Sequence, residues 1–388
     1  MDPSMRLSKA SIFHYFFSRL SNRSRAKWGR RGAQRSGGTV ILTEGFNGNL
    51  GDQALLQVAA SACRSRRRPH ALLTYANNPR QAPADTSVIM AGGEIGTEEH
   101  FRTLMRTQPN PQRASILGIA FNNVFLQNPS PEVQHYLSGM DAIWIRDKGN
   151  ATHSREQLSL PNIHYSPDIT FSLAPEISAR LPEANDHSPH RRTVGINVQT
   201  FFCNILPSGR FTTSDQLAAS LSLSSPGFDL RTAVDGYMAT LRNLIAHHHG
   251  TGDYVVLFSF SPVDTAFSKL VLAETNVQAR IVETPWNFPA MIERIRRCDL
   301  FYPSRFHAHI AALMARTPLI GLEVGKKNAG LLADLSGGTC QSLLPREAFM
   351  VPEQATESLL TCEPFQLSSD ALAAAAQAAS HSIASCFD

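Results

Sequence analysis

Two stretches of the chain carry residues fit for chemistry. In "CDLFYPSRFHAHIAALMARTPLIGLEVGKKNAG" an apolar run ends at a turn holding Arg305 and His307, and a run of small and apolar residues follows at once. A guanidinium there can fork onto a carboxylate or phosphate, and an imidazole can donate to the same group or move a proton near neutral pH. The next apolar run ends in "GLEVGKK", which brings Lys326 and Lys327 to a neighbouring turn. Singly, each is an ordinary surface charge or cap; at successive strand ends they converge as donors for a small, strongly anionic ligand. His309, one step further in, reads as a packed residue.

The second stretch, "GFNGNLGDQALLQ", follows the short apolar run "TVILTE". Its glycines, Gly45, Gly48 and Gly51, match neither the dinucleotide nor the phosphate-loop fingerprint. An acid, Asp52, stands at the helix entrance, where it acts either as a cap or as a ligand group. Its carboxylate would occupy the amides and positive dipole end that a phosphate needs. A neutral hydroxylated ligand fits better, with Asn47 and Asn49 supplying amide donors and acceptors and Gly51 allowing close backbone approach.

Both stretches need a scaffold, and the rest of the chain supplies one. From residue 39, "TVILTE", "ALLTYA", "SVIMAGG", "ASILGIAF", "AIWIRD" and "IHYSPD" alternate with polar or helical material, the pattern of a parallel sheet covered by helices. A polar, Pro- and Arg-bearing stretch at 175–192 reads as a linker. A second series follows, "TVGINVQ", "YVVLFSF", "ARIVETP", "DLFYPS" and "PLIGLE", with helical patterns at 231–249, 289–297 and 307–316. The expected fold is α/β, two Rossmann-like domains facing a central cleft: an amino-terminal domain over 39–180 and a carboxy-terminal domain over 190–388. An alanine-rich helical tail ends the chain, following the second domain in residue order and able to pack back across the first.

Charge divides the chain differently. Residues 1–38 carry nine Lys/Arg and one Asp, so of 36 basic and 32 acidic residues the remainder holds 27 and 31, a net of −4. The basic arm's apolar core, Ile12 to Leu20, is too short to span a bilayer, which takes about 20 apolar residues. It reads as a surface arm or as a helix lying on an anionic membrane face. Nucleic-acid binding is disfavoured, because the basic character stops at the folded body. Six scattered cysteines without CxxC or zinc spacing point to a reducing, cytoplasmic setting and to no metal, with contact to the inner membrane face through the basic arm as the alternative.

Several motifs together resemble the polysaccharide pyruvyl transferase family: "GFNGNLGDQALL", the "MAGGEI" turn, "AIWIRDKGNATH" with "YSPDITFSL", and "SRFHAHIAAL…TPLIGLEVGKK", in that order. The resemblance implies a glycosyltransferase-B-like pair of domains that moves pyruvate from phosphoenolpyruvate onto two hydroxyls of a sugar. A cyclic ketal forms and phosphate is released. It needs no cofactor, phosphoenolpyruvate being the donor substrate. Carried over by position, Asn49, Gly51 and Asp52 fall on the acceptor side with Asn47 and Glu94. Arg305, His307 and a lysine, Lys327 in the better register beside Lys326, fall on the donor side. His307 is the candidate acid for the methylene carbon or for the departing phosphate, with Arg305 and Asp52 completing the catalytic set. Asp52 or Glu94 would orient or deprotonate the sugar hydroxyl. The implied partner is a carbohydrate acceptor, either lipid-linked or polymeric. The rival readings are a nucleotide-sugar glycosyltransferase and a non-catalytic carbohydrate-binding factor.

Overall fold

A computed structural model describes residues 38–43, 49–74, 81–92, 96–180, 191–199, 230–283, 287–323, 327–338 and 341–387. Described residues up to Arg180 and from Ser369 onward form one compact unit, and those between Leu181 and Ser368 form another.

The first unit is built on a parallel sheet of β1 (Thr39–Thr43), β2 (His70–Thr74), β3 (Ser87–Ala91), β4 (Ala114–Ile119), β5 (Ile143–Ile145) and β6 (Ile163–Tyr165), in the order β2-β1-β3-β4-β5-β6. These strands are nearly unbroken Val/Ile/Leu runs because helices cover both faces. The period of two sorts their side chains. Ile41, Ile89 and Leu117 pack with Leu55, Leu56 and Ala59 of α1 (Leu50–Ser65). Val40, Leu42, Val88, Met90 and Ile116 pack on the other face with Phe101 and Leu104 of α2 (Glu98–Thr107). The remaining helices of this run are α3 (Asn123–Gln127), α4 (Pro131–Ser138), α5 (Lys148–Leu158) and α6 (Ala174–Arg180).

The second unit runs β7 (Thr193–Asn197), α7 (Leu230–Gly250), β8 (Tyr254–Phe258), α8 (Pro262–Ala273), β9 (Arg280–Val282), α9 (Phe288–Ile295), β10 (Leu300–Tyr302), α10 (Phe306–Ala315), β11 (Gly321–Leu322), α11 (Lys327–Ser336), β12 (Leu343–Leu344) and α12 (Pro352–Thr361). Its main sheet, also parallel, has the order β10-β7-β8-β9. A bridge from Phe301 to Leu319 and a bond from Leu322 N to Pro303 O attach the β11-β12 pair beyond β10. Read from its own first strand, the second unit therefore follows the dinucleotide-binding order 3-2-1-4, extended by two short strands, whereas the first follows the flavodoxin-type order 2-1-3-4-5.

The last helix, α13 (Ser369–Ser385), follows the carboxy-terminal domain in residue order and makes the return across the first domain that the alanine-rich tail allowed. Spatially it belongs to the amino-terminal unit. Ile383 and the following Phe387 enter the α1 face of the first sheet, and Ser382 Oγ accepts a buried bond from Ser166 Oγ at 2.9 Å.

Candidate active site

Doubly wound sheets bind ligands at the carboxyl ends of their strands, at the point where the strand order reverses. In the second unit that point lies between β7 and β10, the strands that end in Asn197 and Tyr302. Asn197 is fully buried, and its side chain stitches the turn after β10 to the end of β7. Its Oδ1 accepts from Ser304 N at 3.2 Å and Arg305 N at 2.9 Å, and its Nδ2 donates to Phe258 O at 2.9 Å. Ser304 Oγ donates to Asn197 O at 2.7 Å and lies 2.9 Å from Tyr237 Oη. Burial pushes the Tyr237 phenol up to about 12, so this framework stays neutral at physiological pH.

Arg305 occupies the N-cap position of α10. Its guanidinium is forked onto Asp264, with Nε to Oδ2 at 2.5 Å and one terminal nitrogen to Oδ1 at 2.6 Å, and it also donates to Ser261 Oγ at 3.1 Å. Asp264 is fully buried while the Arg305 side chain keeps 19% of its surface. An approaching anion therefore meets a guanidinium whose orientation, and much of whose charge, Asp264 has already claimed. Ser261 caps α8 through Asp264 N at 3.3 Å, with Pro262 at the first helical position, so the turn after β8 presents Asp264 rigidly.

His307, at the second residue of α10, is buried edge-on to Phe288 and Phe306. His309 is fully buried, its Nδ1 2.9 Å from Arg305 O, and desolvation lowers it to about 4. A neutral imidazole there donates to that carbonyl and braces the turn, which agrees with the packed role expected of it.

Next along the sheet, β11 is followed at once by Glu323, a buried carboxyl whose oxygens accept from Asn328 N at 3.3 Å and Ala329 N at 2.6 Å. It thereby closes the first turn of α11, which begins with Lys327, a half-buried residue. Desolvation pushes Glu323 up to about 7, against the opposing pull of the two amides and of Arg346. Asn328 completes the connection, donating through Nδ2 to Ser304 O at 3.1 Å. The turns that carry Arg305, His307 and Lys327 are thus joined by one buried polar network. Lys326 lies outside the described residues.

In the first unit the order reverses between β1 and β3. The turns after these two strands hold the acceptor candidates. Asn49 caps α1, its Oδ1 accepting from Gly51 N at 3.0 Å, so Asp52 is the third helical residue and the cap is Asn49. Gly51 is buried and Asp52 half-buried. β3 leaves through Gly92, whose φ of +83° and nearness to the Leu55 side chain admit no Cβ. Asn47 and Glu94 lie outside the described residues.

Arg146 and Asp147, adjacent at the end of β5, have different partners. Arg146 reaches buried Asp168 at 3.3 Å, and Asp147 caps α5 through Asn150 N at 2.5 Å. In the triple histidine that ends α7, the middle ring turns inward, His248 Nδ1 to Asp253 at 2.7 Å and Nε2 to Tyr302 Oη at 3.2 Å. These three residues border a cavity of about 330 Å³ with Arg192 and Leu359. Among the described residues no cluster of three or more His, Cys, Asp or Glu could hold a metal ion, and no helix is long and apolar enough to cross a membrane.

Reading from sequence missed Asn197, Asp264, Glu323 and Asn328. Two had visible signals. "SPVD" is a serine cap with proline behind it and an acid at the third helical position, and Glu323 stands inside "GLEVGKK" directly before the lysines. Asn197 and Asn328 had none, because a buried asparagine is defined by what it reaches.

The family model described as polysaccharide pyruvyl transferase matches residues 49–325. No curated protein sequence matches the chain. Among solved structures the chain is similar to the OtsA apo structure, at 9% identity and a TM-score of 0.47, covering 90% of this chain and 96% of that one. It is similar also to an α,α-trehalose-phosphate synthase (UDP-forming) from Burkholderia vietnamiensis, at 8% identity and a TM-score of 0.46, with the same coverage. The two-unit architecture rests on the chain's own strand order rather than on these likenesses.

Proposed function

The chain belongs to the polysaccharide pyruvyl transferase family, and from that premise we propose that it transfers pyruvate from phosphoenolpyruvate to two hydroxyls of one sugar, forming a cyclic ketal. The observation that carries the reading is the turn at the β7/β10 reversal, where Arg305 is fixed by Asn197 and Asp264 and tied through Asn328 to the turn of Lys327. A donor with a carboxylate and a phosphate needs several oriented cations.

The atoms balance without an added reagent. The methylene carbon of the donor takes a proton, and the adjoining carbon, now oxocarbenium-like, takes one sugar hydroxyl. Phosphate departs and the second hydroxyl closes the ring. Of the two hydroxyl protons lost, one replaces the proton now in the methyl group and the other leaves with phosphate. Glu323, poised near neutrality, is assigned the proton for the methylene carbon. His307 is assigned the phosphate side, with Lys327 and Arg305 holding the anion. Asp52 orients or deprotonates the sugar hydroxyl, and Asn49 shapes that turn. Chemistry follows from fixing donor and acceptor together.

Release of phosphate from phosphoenolpyruvate in the presence of galactoside, glucoside or mannoside acceptors, with mass spectrometry for the ketal, tests the reading directly. A wild-type rate in Arg305→Ala or His307→Ala would remove the site assignment. The dinucleotide-type strand order of the second unit favours one alternative, a transferase with a nucleotide-sugar donor. Thermal stabilisation by nucleotide sugars and not by phosphoenolpyruvate would select it.

A further inference from the structure

We propose that the second unit holds a second ligand site, for a small carboxylate with an apolar body, in the hollow bordered by Arg192, His248, Asp253 and Tyr302. The hollow measures about 330 Å³, at the lower end of the ~300–1,000 Å³ typical of pockets for small molecules. Arg192 precedes β7, Asp253 precedes β8 and Leu300 opens β10, so it lies where these strands begin. The donor turn lies where they end: the five residues of β7 carry the chain from Arg192 to Asn197, a span of about 16 Å.

The ordinary occupant of a hollow beside polar rings is water. Water suits part of the lining only, because the buried side chains of Leu300, Ile320 and Leu359 form the rest. Among the polar residues the hydrogen bonds are already made. Burial lowers the His248 imidazole, so the ring is neutral at pH 7; Nδ1–H donates to Asp253 Oδ2 at 2.7 Å and Nε2 accepts from Tyr302 Oη at 3.2 Å. Burial raises the Tyr302 phenol, which therefore keeps its proton and directs it at His248. These inner groups spend their donors on one another and turn acceptor lone pairs toward a guest.

The rim differs. Arg192 and His247 are exposed there, the His247 ring edge-on to His248 at 5.4 Å. A guest is offered aliphatic contact and lone pairs within, and a guanidinium and an imidazole outside. A carboxylate pointing inward is repelled by those lone pairs and by the charge of Asp253; at the rim it meets Arg192. The body behind it is apolar and compact. A hollow of about 150 Å³ takes benzene, and this one, at about 330 Å³, takes an aryl or branched aliphatic group together with its carboxylate. Sugar phosphates fit this division poorly, because their hydroxyls would lie against Leu300 and Leu359.

Benzoate and its uncharged counterpart benzamide are the probes, titrated calorimetrically into the full-length protein. Benzoate should bind about tenfold more tightly than benzamide, the scale of one charge-assisted hydrogen bond. Arg192→Gln should erase that preference and Arg192→Lys should keep most of it. Leu360→Trp, which fills the hollow from a half-buried position, should abolish binding of both. Cys362 also lines the hollow and gives a readout that needs no substitution. Benzoate at about ten times its Kd should slow alkylation of that thiol by iodoacetamide about tenfold, followed by peptide mass spectrometry, and benzamide at the same concentration only about twofold. Excess phosphoenolpyruvate should leave the affinity for benzoate unaltered. The proposal is overturned if benzoate does not bind, if the two probes bind equally, or if Cys362 is not protected. It is equally overturned if binding survives in Leu360→Trp or if phosphoenolpyruvate competes, since either result places benzoate elsewhere.

Discussion

The two units reach the same architecture by different strand orders, and each brings its ligand candidates to its own reversal. In the first unit the reversal lies between β1 and β3, and the turns after those strands carry uncharged amides and one acid, Asn49 and Asp52. In the second it lies between β7 and β10, and the turns there carry Arg305, His307 and, one strand further, Glu323 and Lys327. The helix entrances differ accordingly. The first is closed by a short side chain acting on its own helix, Asn49 on Gly51. The second is held from outside, by Asn197 from β7 and Asp264 from α8. A local cap positions one helix; a cap borrowed from neighbouring elements positions a whole constellation, and its loss spreads further.

That contrast can be broken most forcefully at Asp264. Asp264→Ala strands the Arg305 guanidinium and unties the turn after β8. Removing one partner of such a pair costs about 3 kcal/mol, the lower end for buried pairs because Arg305 keeps some solvent. Chemical denaturation should show the loss, and turnover should fall by more than ~100-fold, because the donor arginine is no longer held in place. A near-wild-type midpoint would mean that Asp264 does not hold this turn.

Glu323→Gln sharpens the comparison through pH. Its folded value, about 7, stands above the 4.5 of an ordinary glutamate carboxyl. Burial thus favours the protonated form, and the contribution to stability is complete below about 4.5, falling as pH rises to about 7. The cost above that is ~3 kcal/mol. The wild type should lose stability between pH 5 and 8 more steeply than the Gln variant, measured by urea midpoints at both ends. The variant's turnover should also lose the pH-dependent step near 7; parallel curves for both proteins would remove Glu323 from the acid role.

Asn197→Ala leaves the amides of Ser304 and Arg305 without their buried acceptor, at ~2 kcal/mol. Hydrogen exchange should report this loosening around α10 in the second unit and leave the first unit's sheet protected. Exchange that speeds equally in both units would contradict the separate bracing described here. The smallest effect belongs to the local cap. Asn49→Ala should cost ~1 kcal/mol, and Asp52→Asn less, while Asp52→Asn lowers turnover more than it lowers Tm. The reverse result for Asp52 would make it a structural residue.

Much of this scaffold was legible in residue order, for reasons that differ along the chain. Buried parallel strands announce themselves, as in "TVILT" and "YVVLF", and helices such as α7 and α10 lie within a residue of the patterns at 231–249 and 307–316. Short strands such as β11 are clearer as apolar runs than as ladders. The strand-end placement of the candidate residues was legible where they lie adjacent in sequence, as at Arg305 and His307. It was not legible where a partner arrives from a distant element: Asp264 lies 41 residues from Arg305, and Asn197 lies 108 away. Residue order alone does not fix where α13 goes; its packing on the first sheet is the return across the first domain that the alanine-rich tail allowed.

The return of α13 to the first sheet also sets an order in time. Ile383 and Phe387 complete the face on which Ile41, Leu117 and α1 pack, so the amino-terminal unit stays unfinished until the whole of the second unit has been synthesised. Amino-terminal domains ordinarily fold first as a chain emerges; here the first sheet waits for residues 369–387.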